Sequence, residues 1–203
     1  MLHKDKFYVI NIRNYLDNKD SCLGENDLVQ ILSDFSCKKN QDIEKFLKNS
    51  SIDFAKKNQA VTYIILNKED GELLGYFTIA LKLLMIRGER ISNNIKRKLK
   101  RISEYNEETQ TYVVPAYLIA QLGKNYANNA NEKITGSELL EIAWNKVKEI
   151  QYQVGGVITF LEASHEEKLL SFYENNKFVK FDTRCTSSNS HGSRELVQLL
   201  RVL

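Results

Sequence analysis

The sequence predicts an α/β fold with a central mixed, partly parallel β-sheet flanked by helices. Two patterns lead to this prediction. A helical segment is followed by two strands with a tight turn between them, and further along the chain strands alternate with helices. A strand–helix–strand order makes consecutive strands parallel, whereas a hairpin is antiparallel. Together the two patterns predict a sheet of mixed direction.

The bulk composition is that of a folded domain. The chain has 203 residues, 42% of them hydrophobic, and it contains one proline and no Gly/Ser-rich linker. We therefore expect a single domain over residues 1–203. No apolar run approaches the roughly 20 residues of a membrane helix. The first residues also lack the apolar region of a signal peptide, so we expect a cytoplasmic protein with no membrane contact.

The cysteines and the net charge give little indication of a specific site. Cys22, Cys37 and Cys185 are odd in number and lack metal-ligand spacing, so reduced thiols and no metal site are expected. The net charge of +3 is too small by itself to indicate nucleic-acid binding. The distribution of the charges is therefore more informative than their sum.

The first half of the chain predicts a helix and a β-hairpin. Apolar residues at helical spacing mark a helix over 40–57, with Asn40 as its N-cap. A β-branched and aromatic run predicts a strand over 60–66, and "KEDGE" supplies the turn into a return strand over 73–85. The polar stretch 17–27 is predicted to be a loop before a short helix.

The segment 89–102 predicts a helix that is strongly basic. Its apolar residues fall on one helical face, and they are Ile91, Ile95, Leu99 and Ile102. Its basic residues crowd the other faces, and they are Lys96, Arg97, Lys98, Lys100 and Arg101. A solvated helix that docks through its apolar stripe is one interpretation. A surface for an anionic partner is the other.

A strand, a helix and a second strand follow. The apolar run 112–123 has strand composition. The helix 135–150 begins at a capping box, in which Thr135 and Glu138 satisfy each other's backbone N–H groups. The run 155–163 is the next predicted strand.

The chain is predicted to close with a helix and two strands. Ser164 and Glu167 have the spacing of a second capping box, which would open the helix that carries Tyr173. The segments 178–184 and 195–203 have strand composition and complete the predicted sheet.

The polar loop before the helix 135–150 is the most informative segment for function. A helix N-terminus offers unpaired backbone N–H groups and a partial positive charge, which favour a phosphate or pyrophosphate. Gly136 lets a ligand approach the backbone closely, and Lys133 adds a positive charge. An ordinary capped loop is the alternative interpretation.

These segments together resemble the GNAT superfamily of N-acetyltransferases. "QLGKNYANNANEKITGSELLEIA", then a strand, then "LLSFYENNKF" is similar to the family's Q/R-x-x-G-x-G/A-type loop, which grips the acyl-CoA pyrophosphate, and to its later F-Y-x-x-x-G-F-like helix end. "FSCKKNQDIEKFL" and "TYIILNKEDGELLGYFTIALK" are similar to the toxin-like branch. The resemblance covers roughly residues 35–181 and implies the GNAT acyltransferase fold.

The loop departs from the family's pattern in three places. Asn131 stands where the first Gln or Arg is usual, and Ile134 stands at the first glycine, so that only the second glycine, Gly136, remains. Ile134 can still donate its backbone N–H, but only in a conformation open to a β-branched residue. Glu132 also brings a negative charge near the expected phosphates.

The resemblance implies acetyl transfer from acetyl-CoA, the acetyl donor, to an amine. It also implies that the pantetheine chain lies along the backbone of the strand 117–123. The implied cofactor-binding residues are Leu118, Ala120, Gln121, Asn131, Lys133, Ile134, Thr135, Gly136 and Ser137.

Tyr173 and Glu162 are the candidate catalytic residues. A phenol with a pKa near 10 is protonated at neutral pH, and the resemblance implies that Tyr173 gives its proton to the leaving CoA thiolate. A core tyrosine with a polar tip is the alternative. Glu162 lies near the end of a predicted parallel strand, where a general base would face the ligand crevice. A solvated carboxylate is the alternative for Glu162, and His165 is an alternative base.

The glycine near the end of the family's later helix is replaced here. Lys177 occupies its position in "FYENNKF". We expect Asn176 to take the left-handed conformation at the helix end instead.

Three functions are consistent with these residues. The first is an N-acetyltransferase acting on a primary amine that the sequence does not identify. The second acetylates the amino group of an aminoacyl-tRNA and holds the tRNA phosphates on the basic helix 89–102. The third is a non-catalytic GNAT-fold binding protein, for which Glu132 and Ile134 are the support. A homodimer is a further option, and the segments 17–34, 86–112 and 185–193 are expected to build the acceptor pocket.

Overall fold

The computed structural model describes residues 6–16, 24–188 and 192–203. Its strands are β1 (Phe7–Asn11), β2 (Val61–Asn67), β3 (Leu73–Arg87), β4 (Tyr105–Asn106), β5 (Thr111–Lys124), β6 (Ile158–Ala163), β7 (Val179–Ser188) and β8 (Gly192–Val202). Its helices are α1 (Arg13–Leu16), α2 (Glu25–Ser33), α3 (Gln41–Asn49), α4 (Ser51–Lys56), α5 (Asn93–Leu99), α6 (Gly136–Val154) and α7 (Glu167–Asn175). Short 3₁₀ turns cover Gly88–Arg90 and Ala127–Glu132.

The strands of the described residues form one mixed sheet. Its order is β1-β2-β3-β5-β6-β8-β7, and β4 pairs with β5. The pairs β1–β2, β2–β3, β4–β5, β6–β8 and β7–β8 are antiparallel, whereas β5 and β6 are parallel. The helix α6 is the crossover between the two parallel strands, as a parallel pair requires. The prediction of a mixed, partly parallel sheet with helices is confirmed.

The described residues form two compact units. One falls within residues 1–80 and 119–146, and the other falls within 81–118 and 147–203. The elements β3, β5 and α6 each run through both units. The expectation of a single domain stays a prediction.

The core of the first unit lies under the predicted helix and hairpin. Its fully buried side chains include Ile12, Leu28, Phe35, Leu47, Ile64 and Tyr76. Asn40 caps α3 as predicted, because its side chain accepts from the backbone N–H of Asp42 at 3.1 Å. The helix predicted over 40–57 is interrupted at Ser50, so it forms the separate helices α3 and α4.

The hairpin of β2 and β3 forms as the sequence predicts. The N–H of Asn67 donates to the carbonyl oxygen of Glu72 at 2.9 Å, and Gly71 takes a positive φ of 74°. This conformation favours glycine, which explains the residue at that position of "KEDGE". The five-residue strand β1, which pairs with β2, was not predicted from the sequence.

The core of the second unit lies between the sheet and the basic segment. Its buried side chains include Leu84, Ile86, Ile91, Leu99, Tyr112, Ile158, Phe160 and Phe181. The helix predicted over 89–102 is shorter, because α5 begins after its N-cap Ser92 and ends at Leu99. Ile102 therefore lies outside the helix and is 42% exposed instead of buried.

The two ends of α7 differ from the prediction. Its N-cap is Glu166. The Ser164 hydroxyl donates to the Glu166 carboxylate at 2.9 Å. The predicted Ser164–Glu167 capping box is therefore wrong. At the other end Asn176 has a φ of −93°, whereas Lys177 has a φ of 69°. The left-handed residue is therefore Lys177, in the position of the family's glycine.

Lys177 closes α7 in a Schellman motif. Its N–H donates to Glu174 at 2.9 Å, and the N–H of Phe178 donates to the carbonyl oxygen of Tyr173 at 3.1 Å. The rings of Tyr173 and Phe178 also pack together, as the hydrophobic contact of this motif does. The turn therefore fixes the C-terminal end of the helix that carries Tyr173.

We expect the substitution Lys177→Gly to stabilise the protein by about 0.5–1 kcal/mol. Glycine removes the steric cost of the left-handed conformation, partly offset by its greater freedom in the unfolded chain. The measurement is urea-induced unfolding. Asn176→Gly is the matched control and should not stabilise, since the φ of Asn176 is negative. Equal effects of the two substitutions would contradict the role given to Lys177.

Other sequence expectations concern thiols, metals and membranes. Cys37 is a buried free thiol and Cys185 an exposed one, while Cys22 lies outside the described residues. Within those residues there is no group of three or more His, Cys, Asp or Glu side chains placed to hold a metal ion. None of the described helices combines the length and the apolar character needed to cross a membrane.

Candidate functional site

The N-terminus of α6 is built by the predicted capping box. The N–H of Thr135 donates to the Glu138 carboxylate at 2.8 Å, and the N–H of Glu138 donates to the Thr135 hydroxyl at 3.1 Å. The helix accordingly begins at Gly136 and runs for 19 residues. The predicted start of this helix is confirmed.

This cap leaves a group of backbone donors free. Among the described residues, the N–H groups of Ile134, Gly136 and Ser137 have no hydrogen-bond acceptor. They lie at the positive end of a long helix, where the helix dipole favours an anion. The arrangement suits a phosphate or pyrophosphate group.

Ile134 does not obstruct this loop with its side chain. The residue is 1% exposed, so the isoleucine packs into the protein. The backbone φ of Ile134 is not positive. The residues of this loop with a positive φ are Asn128 at 49° and Asn129 at 60°. The two asparagines tolerate this conformation better than most residues, so the sharp turn of the loop lies before the free N–H groups.

Lys124 holds the loop from inside the first unit. Its ammonium donates to the carbonyl oxygens of Asn131 at 2.7 Å and Ile134 at 2.9 Å. Burial, followed by the charge of Lys39, lowers the pKa of Lys124. This residue was not predicted from the sequence, because it belongs to no motif. Its position at the end of β5, directly before the loop, was the only signal.

Lys133 forms ion pairs with two carboxylates. Its ammonium lies 2.6 Å from Asp70 and 2.6 Å from Glu72. The hydrogen bond that the Lys133 ammonium donates to Asp70, followed by the one it donates to Glu72, raises the pKa of Lys133, and the bond to Asp70 lowers the pKa of that carboxyl. The expected positive charge is therefore already compensated. Glu132 is exposed at the end of the preceding 3₁₀ turn.

The residues expected along the pantetheine lie on β5. Leu118, Ala120 and Gln121 are each half-buried. Leu118 pairs in parallel register with Phe160 of β6. From Ile119 onward the strand belongs to the first unit.

Tyr173 lies in the second unit with its ring buried on α7. The residue is 8% exposed, and its ring packs edge-on against Phe172 at 5.1 Å and Phe178 at 6.0 Å between centroids. Burial raises the pKa of the Tyr173 hydroxyl to about 12. That hydroxyl has no hydrogen-bond partner among the described residues. It is therefore a protonated donor that no described residue engages as an acceptor.

Glu162 lies on β6 and binds side chains of the neighbouring strands. Its carboxylate accepts from Gln198 at 2.8 Å and from Arg184 at 3.3 Å. Strand alternation places it on the same face as Phe160, which is the face that packs against α5. Within the described residues no hydrogen bond joins Glu162 to Tyr173. His165 is exposed between β6 and α7.

A separate pocket lies beside α5. Its volume is about 500 Å³, and it is lined by residues of the 3₁₀ turn Gly88–Arg90, of α5 and its C-cap Lys100, and of the β4–β5 hairpin. The segment 86–112 was expected to contribute to an acceptor pocket, and it supplies all the lining residues. The other two expected segments, 17–34 and 185–193, lie partly outside the described residues.

Comparison with known proteins gives matches only among solved structures. No family model matches the chain, and no curated protein matches it. AtaT in complex with acetyl-methionyl-tRNAfMet matches with a TM-score of 0.63 and 17% identity over 97% of this chain and 94% of AtaT. A tyrosine-to-phenylalanine mutant of KacT matches with a TM-score of 0.63 and 18% identity over 97% of this chain and 95% of KacT.

A third match is a mutant of the AtaT toxin bound to acetyl-CoA and the C-terminus of the antitoxin AtaR. Its TM-score is 0.57, with 16% identity over 97% of this chain and 92% of that one. The chain has the GNAT fold. The resemblance to the toxin-like GNAT branch is therefore confirmed at the level of the fold, over nearly the whole chain.

Proposed function

We propose that this protein is an acetyl-CoA-dependent N-acetyltransferase. The observation that carries the proposal is the set of free N–H groups of Ile134, Gly136 and Ser137 at the start of α6. They form a preorganised anion site in a chain with the GNAT fold. Acetyl-CoA supplies an activated acetyl thioester and a pyrophosphate that suits these donors.

The loop would bind the pyrophosphate through its backbone. Lys124 fixes the carbonyl side of the loop, so the N–H groups are held in place before a ligand arrives. The Lys133 ammonium is paired with carboxylates, which leaves the backbone as the principal donor. Thr135 contributes by capping the helix. The backbones of Leu118, Ala120 and Gln121 are proposed to lie along the pantetheine.

The transfer step requires one proton donor and one proton acceptor. The neutral amine nitrogen forms a bond to the acetyl carbon, and the carbon–sulfur bond breaks. The Tyr173 hydroxyl gives its proton to the departing sulfur, which leaves as the CoA thiol. The amine loses one proton to Glu162, directly or through water, and that proton returns to Tyr173 through solvent. We assign Tyr173 as the acid and Glu162 as the base.

The buried phenol predicts a characteristic pH profile. The rate should rise as the amine, with a pKa of about 8, loses its proton. It should then stay level to about pH 10, because Tyr173 with a pKa of about 12 remains protonated there. Initial rates of acetyl transfer between pH 6 and 10.5 test this. A decline that begins below pH 10 would show that the donor is a group with an ordinary or lowered pKa.

We propose an aminoacyl-tRNA as the class of acceptor. AtaT, of the same fold, was solved with acetyl-methionyl-tRNAfMet. In this chain α5, which carries Lys96, Arg97 and Lys98, packs through its apolar side chains on the sheet face that also carries Glu162. An RNA acceptor explains why a helix in this position is rich in cations. Both substrates occur in the cytoplasm, where we expect the protein to act.

Calorimetric titration with acetyl-CoA tests the proposal at its first step, with free CoA as the comparison. We expect binding of both at micromolar strength, since the pyrophosphate contacts are common to the two ligands. A folded protein that binds neither ligand at millimolar concentration would overturn the enzyme proposal. The non-catalytic binding protein would then be the better description of the chain.

A further inference from the structure

The pocket beside α5 has features that acetyl transfer does not require. Its volume of about 500 Å³ lies in the range of pockets that hold a small organic ligand. Its lining residues are Gly88, Glu89, Asn93, Lys96, Arg97, Lys100, Tyr105, Gln110 and Tyr112. All of them belong to the second unit.

One wall of the pocket is a row of cations. Lys96, Arg97 and Lys100 follow the spacing that places side chains on one face of a helix. None of the three pairs with a carboxylate among the described residues. The acidic lining residue Glu89 is itself 3.6 Å from the guanidinium of Arg90. The wall is therefore positively charged, and no carboxylate of the described residues forms an ion pair with it.

Another part of the lining is aromatic. The Tyr105 ring lies 4.8 Å from the ring of the buried Tyr112, at an angle of 47°. It also lies over the backbone of Gly88, where an added Cβ would come within 3.1 Å of the Tyr105 ring. The N–H of Gly88 donates to Gln110 at 2.9 Å, which ties this turn to the hairpin. Tyr105 remains 38% exposed, so one part of a well-supported ring is open to a ligand.

We propose that this pocket binds one nucleotide of the acceptor RNA, with its phosphate on the three cations and its base against Tyr105. The proposal rests on the proposed function, because it makes the pocket part of aminoacyl-tRNA recognition. An open aromatic ring beside cations is how proteins hold unpaired nucleotides. An acidic peptide would use the cations and leave the ring without a role.

The first test compares two pairs of substitutions that remove the same charge. Lys96→Gln with Lys100→Gln changes the pocket, whereas Lys82→Gln with Lys148→Gln changes exposed lysines that lie outside both the pocket and α5. Binding of labelled, uncharged tRNA is followed by fluorescence anisotropy between 50 and 200 mM salt. The pocket pair should weaken binding about tenfold or more and reduce the log–log salt slope by about 1.5. Equal losses in the two pairs would overturn the proposal.

The second test concerns the aromatic wall. Tyr105→Phe keeps the ring and should bind tRNA like the wild type. Tyr105→Ala removes the stacking surface and should bind about tenfold more weakly. Thermal unfolding of each variant shows whether the hairpin is retained. If the Tyr105→Ala protein is unfolded, the comparison of the two pairs of lysine substitutions decides whether the pocket binds RNA. Unchanged binding by a folded Tyr105→Ala protein would overturn the assignment of the base.

These tests separate the pocket from the transferase activity. Uncharged tRNA accepts no acetyl group, so its binding does not depend on catalysis. If tRNA binding depends on the pocket but no acetyl transfer occurs, the proposed enzymatic function is wrong and the nucleotide pocket is retained. If acetyl transfer to aminoacyl-tRNA is unchanged by Lys96→Gln with Lys100→Gln, the pocket proposal is wrong and the enzymatic function is retained. Pocket-dependent binding of an oligoglutamate peptide, with no binding of tRNA, would identify an acidic protein segment as the occupant instead.

Discussion

Replacing Tyr173 with phenylalanine should lower kcat by about 100-fold or more. The substitution removes the proton donor to the leaving thiolate, and general acid catalysis contributes about 10²–10⁴-fold. The hydroxyl has no partner among the described residues, so its loss leaves no buried group unsatisfied. The measurement is single-turnover acetyl transfer at saturating substrates.

Two controls separate a chemical role of Tyr173 from a structural one. The phenylalanine ring can keep the packing against Phe172 and Phe178, so the thermal midpoint and the affinity for acetyl-CoA should change little. Tyr152→Phe removes the hydroxyl of a residue that is 91% exposed and should leave kcat unchanged. A folded Tyr173→Phe protein with full activity would make the tyrosine a core residue, as the alternative interpretation holds.

Replacing Gly136 with proline should weaken acetyl-CoA binding about 10- to 100-fold. The substitution deletes one free N–H at the first helical position, and a hydrogen bond to a charged group contributes about 1.5–3 kcal/mol. Proline is well tolerated at this position, because its fixed φ suits the first turn and the missing N–H has no helical partner. The measurement is calorimetric titration together with thermal unfolding.

Gly136→Ala is the matched control for the proline variant. Alanine keeps the N–H and adds only a Cβ. If backbone donation matters, alanine should bind acetyl-CoA much more tightly than proline does. If the two variants lose affinity equally while remaining folded, the glycine serves close approach of the ligand and the N–H is not a donor to it.

Features set by nearby residues could be predicted from the sequence. The capping box of Thr135 and Glu138 and the turn at Gly71 depend on residues within a few positions, and both form as expected. The resemblance to the family already placed Lys177 at the position of the family's glycine. Assigning the left-handed conformation to Asn176 was wrong, because the Schellman bonds fix which residue of the turn takes it.

Features set by distant residues could not be predicted in this way. Lys133 and Asp70 are 63 positions apart in the sequence. The sequence suggested that Lys133 would bind phosphate, and nothing near it indicated the pairing with Asp70. Lys124 acts on carbonyl groups that no motif marks. The basic segment 89–102 was predicted as one helix, but the chain there forms a 3₁₀ turn and a shorter helix, and the hairpin that follows lines a pocket with them.

The most direct test of the central claim is transfer of label from [acetyl-¹⁴C]acetyl-CoA to a mixture of aminoacyl-tRNAs. Label should appear on the amino acid of at least one aminoacyl-tRNA, and the Tyr173→Phe protein should transfer it about 100-fold more slowly. A folded wild-type protein that binds acetyl-CoA but labels no aminoacyl-tRNA and no small amine would contradict it.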